Sequence, residues 1–181
     1  MHRLFVAIRP PEEVCDRLVD VMDDSPALRW VPFDNLHLTL RFIGEVERPM
    51  AEDIARALQG IRAAPFAIRL QSVGRFDQRG GGAIWAGVEP REPVASLAAK
   101  VDRACVSAGL EPEHRAFHPH ITLARFRRSA EPEATDFVRR QAGLSSAPFP
   151  VGAFTLFESR LSRHGAHYEP IADYPLSVPL G

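Results

Sequence analysis

The chain has 181 residues, 45% of them hydrophobic and 25% charged, an ordinary globular composition with room for one domain and a real core. Its formal net charge of −1 gives no large electrostatic footprint for duplex nucleic acid, and most of the Arg125, Arg127, Arg128, Arg139 and Arg140 stretch reads as a solvated basic rim. The apolar opening is too short for a signal peptide or membrane helix and ends at Pro10-Pro11, so a cytoplasmic protein without membrane contact is expected.

Residues 3–9 read as a strand. Pro11 with Glu12-Glu13 then opens a helix whose stripe is Val14, Leu18, Val21 and Met22, closed by Ser25-Pro26. Residues 36–43 alternate, placing Leu36, Leu38, Leu40 and Phe42 on one face and His37, Thr39 and Arg41 on the other. Pro49 starts a second helix on Met50, Ile54, Ala57 and Leu58, and strands follow over 66–73 and 83–88, with Gly80-Gly81-Gly82 as a flexible connection. Past a joint at Glu89-Pro90-Arg91-Glu92 the order repeats. A helix begins at Pro93, a strand covers 119–124, a helix begins at Pro132, and strands lie near 149–158 and 166–172. This order predicts an α+β fold with mainly antiparallel sheets flanked by helices. Cys15 and Cys105 form no metal or redox spacing and are expected to be buried thiols.

The repetition extends to the residues. His37-Leu38-Thr39-Leu40 recurs as His120-Ile121-Thr122-Leu123, 83 positions on. Without a gap the same offset matches Pro49, Asp53, Arg56 and Gly60 to Pro132, Asp136, Arg139 and Gly143, and Trp85 to Tyr168. An internal duplication follows, with repeats of about 1–88 and 93–171 in a single bilobal, pseudo-two-fold domain and a central cleft. In a strand, residues i and i+2 share a face, so each copy presents an imidazole beside a hydroxyl. Two imidazoles titrating near neutrality on opposite sides of a phosphorus atom can act as base and acid together. The threonine hydroxyls would donate to phosphate oxygens, and an arginine would add a charge-assisted donor. The scheme calls for neither metal nor cofactor.

The two tetrapeptides, the run from Phe117 to Arg125, the Leu4-Phe5-Val6-Ala7-Ile8 opening and Phe42-Ile43-Gly44 together resemble the two-histidine (2H) phosphoesterase superfamily. Within it the resemblance is to the bacterial and archaeal 2′-5′ RNA ligases, or RNA 2′,3′-cyclic phosphodiesterases, and it covers essentially the whole chain. It implies a metal-independent hydrolase that opens 2′,3′-cyclic phosphates at RNA ends to 2′-phosphates, with reversible 2′-5′ ligation as a related activity. By the same resemblance His37 is the proton donor and His120 the proton acceptor, roles that pseudo-symmetry alone would allow to be exchanged, and Arg125 is a phosphate or nucleobase ligand beside Thr39 and Thr122. The 83-residue offset sets Phe42 opposite Arg125 as a stacking surface, and parity makes Arg41 a rival phosphate ligand. Strict alternation would point Arg125 away from the cleft, so the strand must end or bulge after Thr122.

Other readings use the same residues. The substrate could be a 2′-5′ oligonucleotide or a small cyclic nucleotide, or the chain could be a non-catalytic binder of RNA ends; a monomer is expected in each case. His114, His118 and His120 lack the additional ligands of a metal site. His164 and His167 fall in a predicted hairpin, and the glycine run lacks the Lys-Ser/Thr of a phosphate loop.

Overall fold

A computed structural model, which describes residues 1–178, gives an α+β fold. The strands are β1 (His2–Ile8), β2 (Leu28–Trp30), β3 (Leu38–Val46), β4 (Phe66–Gln78), β5 (Gly81–Glu89), β6 (His120–Arg127), β7 (Phe149–Val151), β8 (Ala153–Ser162) and β9 (Gly165–Pro175). The helices are α1 (Glu12–Val21), α2 (Arg48–Leu58), α3 (Glu92–Ser107) and α4 (Glu131–Arg140). Proline stands just before α1 and in the first turn of the other three, where its fixed φ favours the helix and its missing N–H leaves no bond unmade. Buried residues recur at three and four, such as Val94, Leu97, Ala98, Val101 and Cys105 of α3. α2 and α4 begin 83 residues apart, at Arg48 and Glu131.

The strands form one antiparallel path, β7-β4-β5-β6-β3-β1-β8-β9, with β2 paired to β6. Strands from the two sequence halves are interleaved along it. β5, backed by β4, pairs with β6 of the second half, while β8 and β9 of the second half extend β1 and β3 of the first. The helices follow suit: α3 packs on β3 and on α2, which reaches β1, whereas α4 packs on β4, β5 and β6. One residue pair, Leu38 with Ile121, joins the β1/β3 side to the β5/β6 side. Beyond it β3 and β6 part company, and the space between them is the cleft.

Bulges set which residues reach that cleft. In β3, Thr39 pairs with Ala7 and Arg41 with Val6, so Leu40 is unmatched, and Ile43 is passed over in the same way. In β6, Thr122 pairs with Trp85 and Ala124 with Ile84, leaving Leu123 unmatched. Leu40 and Leu123 are the same position of the two copies. Each bulge adds one residue and inverts the alternation that follows. The uniform alternation expected for 36–43 therefore breaks: Phe42 pairs with Phe5 and is 42% exposed, and Arg41 turns to the helical side.

Three short features depart from the sequence expectation. β2 and β7 are strands of three residues, too short to carry a period. Gly81 and Gly82 belong to β5 rather than to a flexible connection. A Cβ on Gly82 would lie 2.2 Å from the Phe76 carbonyl oxygen and 2.7 Å from the Phe126 ring, so glycine is required by close packing. Cys15 and Cys105 are buried and free, and burial raises both thiols, Cys105 to about 11.

The interleaving has a measurable consequence. A fragment of residues 1–88 keeps the β4–β5 pair but exposes the edge of β5 that β6 covers. It is expected to show no cooperative thermal transition by circular dichroism, whereas a sharp reversible transition would mean that each half folds alone.

Candidate active site

The seam brings the duplicated motifs face to face. With Leu38 opposite Ile121, the antiparallel register carried one residue either way sets His37 across from Thr122 and Thr39 across from His120. Each imidazole thus faces the hydroxyl of the other copy. Leu38 and Ile121 are 1% and 0% exposed and hold the strands to the core from behind.

Both rings are clamped in the same way. Nδ1 of His37 lies 2.6 Å from the carbonyl oxygen of Asn35, and Nδ1 of His120 lies 2.5 Å from that of His118. A carbonyl only accepts, so each Nδ1 carries the proton and each Nε2 is left for a ligand. Aromatic rings fix the remaining freedom. Phe5 and Tyr168 pack on His37 with centroids at 4.9 and 5.3 Å, and Phe76 and Trp85 pack on His120 at 4.9 and 6.2 Å. Trp85 lies across Gly74, where a Cβ would meet the indole at 2.5 Å. Among the described residues, neither threonine hydroxyl is taken up by a protein partner, and both side chains are half-buried.

The cleft disfavours charge on its histidines. Burial is the largest cause at both, holding His37 and His120 below the usual histidine range, against the carbonyl bonds that raise them. The charges of His120, Arg9 and Arg125 lower His37 further, and those of His118 and Arg125 lower His120. Arg125 therefore acts on both rings. The whole set repels protons and attracts an anion.

Arg125 reaches this position through the bulge at Leu123, since buried Leu123 and Ala124 are followed by exposed Arg125. The structure thus brings together His37, Thr39, His120 and Thr122 with Arg125 beside them. Phe42 joins Thr39, Phe76, Arg115, Phe117 and His120 in lining a cavity of about 250 Å³. Arg41 lines the same cavity, with its guanidinium 2.8 Å from Asp102 and bonded to the carbonyls of Phe42 and Glu111. Its side chain is 9% exposed, and the bulge at Leu40 inverts the strand's alternation from there on. Arg41 anchors the segment that carries Glu113 and Arg115.

Several site residues have no motif in the sequence. Phe5 and Phe76 lie on other strands, and only the Trp85–Tyr168 match in the 83-residue register pointed toward the aromatic backing. A second cavity, of about 480 Å³, lies on the other side of His120 and is lined by Phe76, Trp85, Glu89, Arg91 and His118. Arg91 donates to Nδ1 of His118 at 3.1 Å. Among the described residues no group of three or more His, Cys, Asp or Glu side chains is arranged to hold a metal ion. A more apolar cavity of about 300 Å³, lined by Leu4, Ala51, Leu156 and Ile171, lies apart from both motifs.

Comparison with known proteins gives a consistent picture. The sequence profile of the 2′-5′ RNA ligase superfamily matches residues 10–163. The chain is 33% identical to the RNA 2′,3′-cyclic phosphodiesterase of Aeropyrum pernix, over 80% of this chain and 84% of that protein. It is also 33% identical to that of Thermus thermophilus, over 96% and 90% of the two chains. Among solved structures, a Thermus thermophilus protein superposes with a TM-score of 0.81 at 29% identity, covering 96% and 97% of the chains. Apo LigT of Escherichia coli gives 0.77 at 28% identity, covering 98% of each.

The lowered histidines fix a sign for proton linkage. Below the unfolded value of about 6.5 the unfolded chain binds more protons than the folded one, so stability falls as pH drops through that range. A bound oxyanion favours the protonated rings. Sulfate is therefore expected to raise the Tm more at about pH 6 than at about pH 8 at matched ionic strength. An equal or larger rise at the higher pH would show that the histidines do not face the anion.

Proposed function

This chain belongs to the 2′-5′ RNA ligase superfamily, and from that premise we propose that its cleft opens 2′,3′-cyclic phosphates at RNA ends to 2′-phosphates. It is an enzyme of the 2H phosphoesterase kind, whose curated relatives are named RNA 2′,3′-cyclic phosphodiesterases. The observation that carries the mechanism is the Leu38–Ile121 pair, whose register carried one residue either way sets His37 by Thr122 and His120 by Thr39, with both Nε2 atoms left unclaimed.

The reaction follows from that geometry. Phosphorus sits between the imidazoles, with its non-bridging oxygens on the Thr39 and Thr122 hydroxyls and the Arg125 guanidinium. Nε2 of His120 takes a proton from water as the water oxygen bonds to phosphorus. The P–O3′ bond breaks on the opposite side, and Nε2–H of His37 protonates the departing 3′-oxygen. The 2′-ester remains. Both proton transfers are supplied by side chains, so the steps balance without a metal. With a ribose 5′-hydroxyl in place of water, the same forward transfers form the P–O5′ bond as P–O3′ breaks, giving a 2′-5′ phosphodiester; run backwards they cleave it.

The free cleft does not itself favour His37 as the acid, because burial and neighbouring positive charge hold both rings below the usual histidine range. The cyclic phosphate anion offsets this when bound, and Phe42 and Arg125, set at equivalent positions, make its two sides unlike. The pair titrates as a unit, so a bell-shaped pH profile reports the pair rather than either ring. We further place the protein in the cytoplasm, acting as a monomer; among the described residues no helix is long and apolar enough to cross a membrane. A 2′-5′-linked oligonucleotide is the second substrate reading, favoured by cavities on both sides of His120.

Substituting His37→Ala or His120→Ala is expected to lower kcat/KM on a nucleoside 2′,3′-cyclic phosphate by about 10²–10⁴, with 2′-phosphate as the wild-type product. Bis-p-nitrophenyl phosphate, whose leaving group needs no proton, separates the roles. His37→Ala should retain turnover on it while His120→Ala loses it. The reverse pattern would exchange acid and base, and unimpaired turnover of the cyclic phosphate by either variant would overturn the mechanism.

A further inference from the structure

We propose that the cleft face of β2 and β6 is a track for the RNA strand leading to the reacting end, with Arg29, Arg125 and Arg127 as its phosphate contacts. It rests on the phosphodiesterase reading of the cleft and adds which residues would hold the single strand 5′ of the reacting end.

β2 carries the decisive register. Arg29 lies directly across from Arg125, flanked by the pairs Leu28–Phe126 and Trp30–Ala124. Those flanking residues face the core, since Leu28, Phe126 and Ala124 are buried and Trp30 packs edge-on against Phe137 of α4. Both arginines therefore stand on the opposite, cleft face, and both are exposed, as is Arg127 two residues on.

Like charges directly opposed across a sheet are destabilising, and a carboxylate partner is the usual remedy. The covered face of the same sheet has that remedy: Arg75 of β4 is held by Asp77, Glu131 and Thr135. On the cleft face, among the described residues, Arg29, Arg125 and Arg127 have no carboxylate partner. The residues of β5 opposite Arg125 and Arg127 are Ala83 and Gly81, so no bulky side chain competes for the space beside them. Three guanidinium groups without a protein anion, along an unobstructed strand, call for an external polyanion.

Their position states which polyanion. Along the cleft face of β6 the order is His120, Thr122, Arg125, Arg127, so the track begins at the reacting phosphate and leads away from it. Arg125 and Arg127 are about 7 Å apart at roughly 3.4 Å per residue, a spacing comparable to one step of an extended nucleotide chain. A 2′,3′-cyclic phosphate closes the 3′ end of RNA. Only the 5′ side has further phosphates, and these are what the track would hold. The overall charge of −1 confines this attraction to the strip and gives a duplex no wider footing.

The test is a double variant, Arg29→Ser with Arg127→Ser, assayed on a nucleoside 2′,3′-cyclic phosphate and on a single-stranded RNA of about ten nucleotides ending in one. On the oligonucleotide, kcat/KM is expected to fall by about tenfold or more at low salt, and the slope of log kcat/KM against log salt to become shallower by about 1.4, two phosphates at roughly 0.7 each. Turnover of the mononucleotide should stay within about twofold, which also reports an intact fold. Replacing both residues by lysine should restore the oligonucleotide rate. An unchanged oligonucleotide rate would overturn the track, as would an equal loss on both substrates persisting in the lysine variant. A wild-type protein inactive on both substrates would instead remove the phosphodiesterase reading beneath it.

Discussion

A single antiparallel pair, Leu38 with Ile121, decides the geometry of this protein. Both side chains point into the core, and truncating either would cost about 2–5 kcal/mol. The larger consequence is positional. Because the pair sits between a histidine and a threonine on each strand, one register fixes four polar groups at once. A slip of one residue would turn all of them away from the cleft, and displacements of about 1 Å already matter greatly to catalysis. The strands then separate, which opens room for a ligand where a continuous ladder would have closed the sheet.

The two bulges act on what the seam has placed. Leu40 and Leu123 are equivalent in the duplication, and each adds one residue after its His-x-Thr motif. The residues delivered to the cleft beyond them are not equivalent: an aromatic ring, Phe42, on one side and a charge, Arg125, on the other. The framework around the histidines stays matched, with each Nδ1 on the carbonyl two residues back and two aromatic rings packed on each imidazole. Symmetry therefore governs how the imidazoles are held, and its failure one step further along the strand distinguishes the two sides of a bound phosphate. Arg29 extends that difference, since β2 lies only beside β6.

Exchange of strands between the halves supports this arrangement. β1 and β3 lean on β8, and β6 leans on β5, so each histidine strand is braced by chain from the opposite half or from its border. Tyr168 on β9 reaches His37 and Phe76 on β4 reaches His120 by the same exchange. The aromatic surroundings that depress both imidazoles are thus contributed across the duplication, and neither half would have a complete site without the other.

The sequence by itself determined the duplication, the four helices and the presence of His and Thr on one strand face. Those features are written in short-range patterns: proline at helix starts, apolar residues at three and four, and i, i+2 parity. The match at 83 residues singled out four residues that the seam sets together, and parity also required the irregularity that Arg125 needs. Only the tertiary structure decided where that irregularity falls, that a second one diverts Arg41 to Asp102, and that Phe5, Phe76 and Arg29 border the cleft. The reason is physical. A bulge is a mismatch between two strands, and an ion pair or cross-strand contact depends on a partner tens of residues away. Their register is set by packing of the whole sheet rather than by the local order of residues.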